Sequence, residues 1–256
     1  MNLDLRSHPL FETLRALVTR AGSFIGALGI FLVGGIIVAA IGTFLFALLA
    51  QHVMAGSTQA FDEAALRWIK NYHSPALDDA MLEITALGTG MVVIAIVCVS
   101  GLFLVLTKHK YSALLLLVAT VGGMLLDTVL KLQFGRPRPQ IFTWGTHASM
   151  SSFPSGHAMS ATIVYSTVAY LAARLQKRLW ARWATMFLAA VIIVMIASSR
   201  MYLGVHYPSD VLAGAIVGLS WAAFCMGTLE AIQRLGQRRA PEIKKDEAPA
   251  PPLEKN

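Results

Sequence analysis

Charge is scarce in this sequence. Lys, Arg, Asp and Glu make up 14% of its 256 residues, where a soluble domain carries about 25%. Apolar residues reach 56% and mean hydropathy is +0.62, which excludes an ordinary water-soluble domain. The apolar excess is gathered in long runs, as membrane spans require. Cysteine is scarcer still, with only Cys98 and Cys225. Each lies inside an apolar segment without a CxxC or CxxH neighbour, so no zinc or redox motif is present; a disulfide would need a close approach that sequence does not show, and small hydrophobic packing is the role expected of both. Acidic residues are outnumbered, 14 against 21 basic ones, for a net charge of +7. Such a balance can signal nucleic acid. Here the basic residues fall between apolar runs, where they orient a membrane protein instead, so no nucleic-acid partner is expected.

What is there reads as an all-α integral membrane protein, a six-transmembrane-helix bundle forming a single domain over residues 21–233. Residues 1–20 mix Arg6, Arg15 and Arg20 with leucines and suggest a cytoplasmic amphipathic arm. Ala21 to Ala50 carries no charge and far exceeds the roughly 7–15-residue core of a cleavable signal peptide, so it is a retained first span. Between Gln51 and Asp79, Leu66, Trp68, Ile69 and Tyr72 predict a short interfacial helix in the first extracytoplasmic loop. The second span is expected over Met81–Thr107, with Glu83 at its rim, and the third over Tyr111–Leu132. After a loop holding Trp144 at headgroup level, the fourth runs from Pro154 to Leu175 and the fifth from Trp183 to Leu203. The sixth starts at Ser209, an N-cap residue type, and ends near Ile232. Residues 234–256, rich in Lys, Glu, Pro and Ala, read as a disordered tail. Lys and Arg concentrate at residues 108–110, 174–182 and 234–239, on the side of both termini. The positive-inside rule makes that side cytoplasmic, in a multi-pass inner (plasma) membrane protein.

Three polar stretches break the apolar pattern, and this topology brings all of them to the opposite, extracytoplasmic (periplasmic) face. They are Lys131 to Pro139, Phe153 to His157, and Ser199 to Asp210. A single Lys or Arg at a span end is equally well a snorkelling anchor. Lys131, Arg138 and Arg200 on one face repel one another at low dielectric and imply a multiply charged anion between them. Ser155 and Gly156 add a hydroxyl and backbone N–H groups at a helix start, a natural phosphate site. Asp210 follows His206 by four residues, one helical turn, so its carboxylate can hold one ring nitrogen protonated and leave the other as nucleophile. A second histidine, His157, can serve as acid and base. The cations do the work of a metal in this scheme, so none is called for. Asp127 is either a further acid or the ion-pair partner of Lys131, one turn on.

These residues form a pattern. Lys131, six residues, Arg138-Pro139; Pro154-Ser155-Gly156-His157; Ser199-Arg200, five residues, His206, three residues, Asp210: this resembles the three-part signature of the type 2 phosphatidic acid phosphatase (PAP2) superfamily, with every signature position present. Pro75–Gly88 also resembles members of the superfamily. The resemblance implies a metal-independent lipid phosphate or diphosphate phosphatase that needs no cofactor and forms a phosphohistidine intermediate. It assigns His206 as nucleophile, Asp210 as its orienter, and His157 as the acid that protonates the leaving group and then activates water. Lys131, Arg138, Ser155, Gly156 and Arg200 would bind the phosphate. The superfamily's soluble vanadate-dependent haloperoxidases are set aside because of the spans. Undecaprenyl diphosphate is the first substrate expected, with phosphatidylglycerophosphate, phosphatidate, diacylglycerol diphosphate and lipid A phosphate as alternatives. A lipid-linked phosphotransferase, an anionic-lipid transporter and a structural protein with a dead site are the competing classes.

Overall fold

The computed structural model describes the backbone of residues 9–141 and 151–246 and the side chains of residues 32–141 and 151–233. Among the described residues the chain is helical throughout, in the order α1 (Pro9–Met54), α2 (Gln59–Lys70), α3 (Pro75–Ala86), α4 (Gly90–Leu106), α5 (Lys110–Gln133), α6 (Gly156–Leu175), α7 (Leu179–Tyr202) and α8 (Pro208–Asp246). The side chains of the amphipathic arm and of the tail, and Trp144, lie outside the described residues. The backbone is helical from Pro9 and as far as Asp246.

Four segments are long and apolar enough to cross a membrane: Leu32–Met54, Lys110–Gln133, Leu179–Tyr202 and Pro208–Gln233. A fifth crossing results if α3 and α4 are taken as one span. Their apolar surface points outward, with only 17% of the first and 11% of the third buried. A water-soluble bundle has the opposite distribution, so these faces suit lipid.

The second expected span departs from the sequence reading. Met81–Thr107 is not one helix: α3 and α4 meet at Leu87-Gly88-Thr89 with a bend of 47°. Ser74, whose Oγ accepts from Leu77 N–H, and Pro75 at the first turn start α3 well before Met81, so Glu83 falls within it. Tertiary contacts crowd the break. A side chain at Gly88 would meet Ile196 Cγ2 at 2.6 Å and His157 Cδ2 at 3.2 Å, and the Leu87 carbonyl accepts from the Tyr165 hydroxyl at 3.0 Å.

The bundle is built around α6, which packs on α5, α7 and α8. Ala158, Met159, Ala161, Ile163 and Val164 are buried. Two of its hydroxyls turn back to carbonyls of the preceding turn, Ser160 to Gly156 at 2.8 Å and Thr162 to Ala158 at 2.7 Å. Polar groups satisfied in this way are tolerated in an apolar interior. Gly214 and Gly218 of α8 cross α6 so closely that added side chains would meet the carbonyl oxygens of Ser155 and Met159. Phe46, Phe134 and Phe153 form an aromatic cluster with ring centroids 5.3–5.9 Å apart, which ties α1 and the end of α5 to the segment leading into α6.

Candidate active site

The singled-out polar residues gather at one end of the bundle. Lys131 is in the last turn of α5, Gly156 and His157 in the first turn of α6, Arg200 in the last turn of α7, and Asp210 in the first turn of α8. Arg138 and His206 are on the loops between. Lys131, Arg138, Arg200 and His206 all lie within electrostatic range of His157, so the three stretches make one site. A cavity of about 260 Å³ beside it is lined by Asp127, Lys131, Gly156 and His157 on one side and by Val93, Ile94 and Ile163 on the other.

His206 sits where α7 gives way to α8, and Gly204, at φ 64°, makes the turn between them. The imidazole is buried, and Nδ1 is 2.8 Å from the Ser152 carbonyl oxygen. A carbonyl can only accept, so the proton is on Nδ1 and Nε2 carries the free lone pair. Burial pushes the His206 pKa below the ordinary histidine value; Asp210 opposes this, and Arg138 and Arg200 add to it. Nε2 faces Arg138 Nη1 at 3.4 Å. The arrangement is an oriented ring nitrogen without a proton, facing a cation.

Asp210 takes a different position from the one its spacing suggests. Its Oδ2 is 3.6 Å from His206 Nδ1, beyond hydrogen-bond length, and the Ser152 carbonyl takes that bond. Oδ2 instead accepts from the Tyr207 N–H at 2.9 Å, closing a capping interaction at the start of α8. Oδ1 accepts from Arg136 Nη1 at 2.6 Å. Its backbone carbonyl accepts from the Ser155 N–H at 3.0 Å, joining the second and third motifs directly. Ser209 is not the side-chain cap expected of it: α8 begins at Pro208, and the Ser209 hydroxyl donates to Asp62 at 2.6 Å.

The cations are aimed as well as gathered. Lys131 Nζ donates to Asp127 Oδ2 at 2.8 Å, the ion-pair alternative for Asp127. A side chain at position 156 would meet Lys131 Nζ at 2.5 Å and Asp127 Oδ2 at 3.0 Å, so it would have to displace this ion pair. Arg200 Nη1 donates to Thr85 Oγ1 at 2.7 Å, and Arg138 Nη1 to the Val205 carbonyl at 3.0 Å. Burial lowers the Arg138 pKa while Asp210 raises it. Arg138 Nε, Arg200 Nε and Ser155 Oγ are buried with no hydrogen-bond partner. Buried donors of this kind are costly unless something accepts from them, and phosphate oxygens are suitable acceptors.

Three contributors escaped sequence reasoning. Arg136 is buried and pairs with both Asp62 and Asp210, and its repeated Arg-Pro context beside Arg138 was the available signal. Asp62 and Thr85 come from elements far away in sequence, and no local pattern marks them.

Residues 112–234 match the model of the PAP2 superfamily. Phosphatidylglycerophosphatase B of Bacillus subtilis (strain 168) is 34% identical over 197 residues, 75% of this chain and 95% of that protein. An undecaprenyl-diphosphatase of Sulfolobus acidocaldarius is 30% identical over 137 residues, 52% of this chain and 62% of that one. The crystal structure of a transmembrane PAP2-type phosphatidylglycerolphosphate phosphatase from Bacillus subtilis superposes with a TM-score of 0.65 at 30% identity, covering 79% of this chain and 96% of that one. The chain belongs to the PAP2 superfamily. It is a phosphatase of that superfamily's membrane branch.

Proposed function

We propose that this protein hydrolyses lipid phosphates or diphosphates through a phosphohistidine, at the face of the membrane away from the cytoplasm. One observation carries the reading: the buried, unpartnered donors Arg138 Nε, Arg200 Nε and Ser155 Oγ share a site with Lys131 and with His206, whose Nε2 carries no proton and faces Arg138 Nη1. His206 Nε2 attacks phosphorus and the P–O bond to the lipid alcohol, or to the remaining phosphate of a diphosphate, breaks. His157 protonates the departing oxygen. His157 then takes a proton from water, whose oxygen attacks phosphorus, breaks the P–N bond and releases phosphate. Lys131, Arg138, Arg200, Ser155 and the Gly156 N–H hold the phosphoryl oxygens, and stabilisation of their developing charge replaces a metal. Asp210, 3.6 Å from Nδ1, stabilises the cationic ring of the intermediate.

The polypeptide crosses the membrane six times, by α1, the bent α3–α4 pair, α5, α6, α7 and α8, with residues 21–233 as one unit and both termini cytoplasmic. Basic connectors at residues 108–110 and 174–182 support this orientation. Helix α6 is less apolar than the other spans because protein surrounds it on three sides. Helix α2, with Phe61, Trp68 and Tyr72 exposed, lies in the outer interface.

Phosphatidylglycerophosphate heads the substrate panel, because the relative matched over 95% of its length is named for it; undecaprenyl diphosphate follows. The test is phosphate release by purified protein from these two lipids, phosphatidate, diacylglycerol diphosphate and lipid A phosphate, with EDTA present. Release that persists in EDTA and falls to background in H206A supports the reading. H206A as fast as wild type overturns it. Transfer of the phosphoryl group to an added lipid acceptor in place of water would identify a phosphotransferase, and lipid flux without hydrolysis a transporter.

A further inference from the structure

Sharing Asp210 with the signature residues lies a second, buried charge cluster. Arg136 is buried beneath the His206 loop with its guanidinium 4.2 Å from the centre of the Tyr207 ring. Nη1 donates to Asp210 Oδ1 at 2.6 Å and Ser209 Oγ at 2.7 Å. Nη2 donates to Asp62 Oδ2 at 2.8 Å and Gln59 Oε1 at 3.1 Å. Asp62, completely buried on α2, also accepts from the Ser209 N–H at 3.0 Å and hydroxyl at 2.6 Å. Gln59 Nε2 donates to the Tyr207 hydroxyl at 3.2 Å. Helix α2 is thus fastened to Tyr207 and Ser209, and to Asp210 through one arginine shared between two carboxylates.

We infer that Asp62 and Arg136 are positioning residues that set the charge His206 experiences, so that α2 is part of the catalytic apparatus. Buried ion pairs add little net stability and are costly to break, and two carboxylates sharing one guanidinium divide its charge between them. Arg136 draws on the carboxylate that also stands 3.6 Å from His206 Nδ1. It thereby restrains Asp210 from stabilising a protonated imidazole before attack, while leaving enough negative charge for the phosphorylated ring. Asp62 in turn limits how much of Asp210 the arginine neutralises. The other charged groups facing His206 are Arg138 from the loop after α5, Arg200 from α7 and His157 from α6; none of them touches Asp62. The inference rests on His206 being the nucleophile, as proposed above.

Electrostatics gives the two variants opposite signs. In R136Q the unpaired Asp210 favours imidazolium, so the acid limb of kcat/KM moves to higher pH, by about one unit. In D62N the guanidinium is left wholly to Asp210, so the limb moves to lower pH by a smaller amount. KM stays within about twofold in both, since neither residue is in the phosphate cradle, and the pH dependence of kcat/KM reports the groups of the free enzyme. A purely structural role would lower kcat in both without moving the limb. The experiment is a pH profile of phosphate release for wild type, D62N, R136Q and R136K, with H206A alongside. R136K keeps one charge without the two-armed fork and must fall between wild type and R136Q; it also serves where R136Q does not fold. Limbs that coincide with wild type, or that move in the same direction, overturn the inference. An active H206A overturns the nucleophile assignment instead, so the two failures are distinguishable.

Discussion

At the scale of single residues, His206 decides how the site responds to pH. Its pKa lies below the ordinary value of about 6.5 because the ring is buried, with Arg138 and Arg200 adding to the effect of burial against Asp210. With His206 as the proposed nucleophile the reactive form is the neutral ring, so the acid limb of kcat/KM is expected below pH 6.5, and a limb above that value would contradict the burial argument. The same shift has a stability sign. Between the folded and unfolded pKa values the unfolded chain binds the extra proton, so this histidine's contribution to stability falls as pH drops below about 6.5. Thermal unfolding in detergent across that window checks it. Gly156 makes a second prediction, because a methyl group there would meet Lys131 Nζ at 2.5 Å. G156A should push Lys131 off its Asp127 partner and raise KM for the lipid phosphate more than it destabilises the protein. H157A should retain single-turnover phosphorylation on substrates with good leaving groups while losing roughly 10²–10⁴-fold on natural lipids, measured by rapid quench.

At the scale of elements, the crossing of α6 and α8 sets the distance between two motifs. Gly214 and Gly218 bring the helices together, and the Ser155 N–H bond to the Asp210 carbonyl, 3.0 Å, depends on that approach. G214L should force the pair apart and cost about 1–3 kcal/mol as overpacking, with activity falling further than stability; matched losses of both would argue against a special role for the crossing. The α3–α4 break behaves likewise. G88V would press on Ile196 and His157, so it should impair the acid–base step proposed for His157, whereas substitutions at outward-facing Met91, 83% exposed, should be silent.

At the scale of the whole molecule, the question is which way the bundle lies in the bilayer. With Cys98 and Cys225 replaced by alanine, S57C should react with a membrane-impermeant maleimide in intact cells, and H109C only after the cells are opened. The reverse pattern would invert the proposed topology. Both positions are exposed, so failure to label reports sidedness rather than burial.

Much of this was legible in the sequence because it depends on local chemistry. Long uncharged runs can only be satisfied as helices in lipid, so the all-helical class and most helix limits followed from hydropathy. The cations, histidines and Asp210 declared themselves as polar residues at the ends of those runs. What hydropathy does not contain is how segments meet. The break at Gly88 packs so close to Ile196 and His157 that a side chain there would meet both, a contact hydropathy does not mark. The bond that orients His206 comes from a backbone carbonyl, which every residue has and no pattern marks. The Asp62–Arg136–Asp210 chain joins residues 74 positions apart at each link. Sequence alone determined the membrane class and the chemical groups available; tertiary structure decided which of them share charge, because close contact between buried ions is a property of packing.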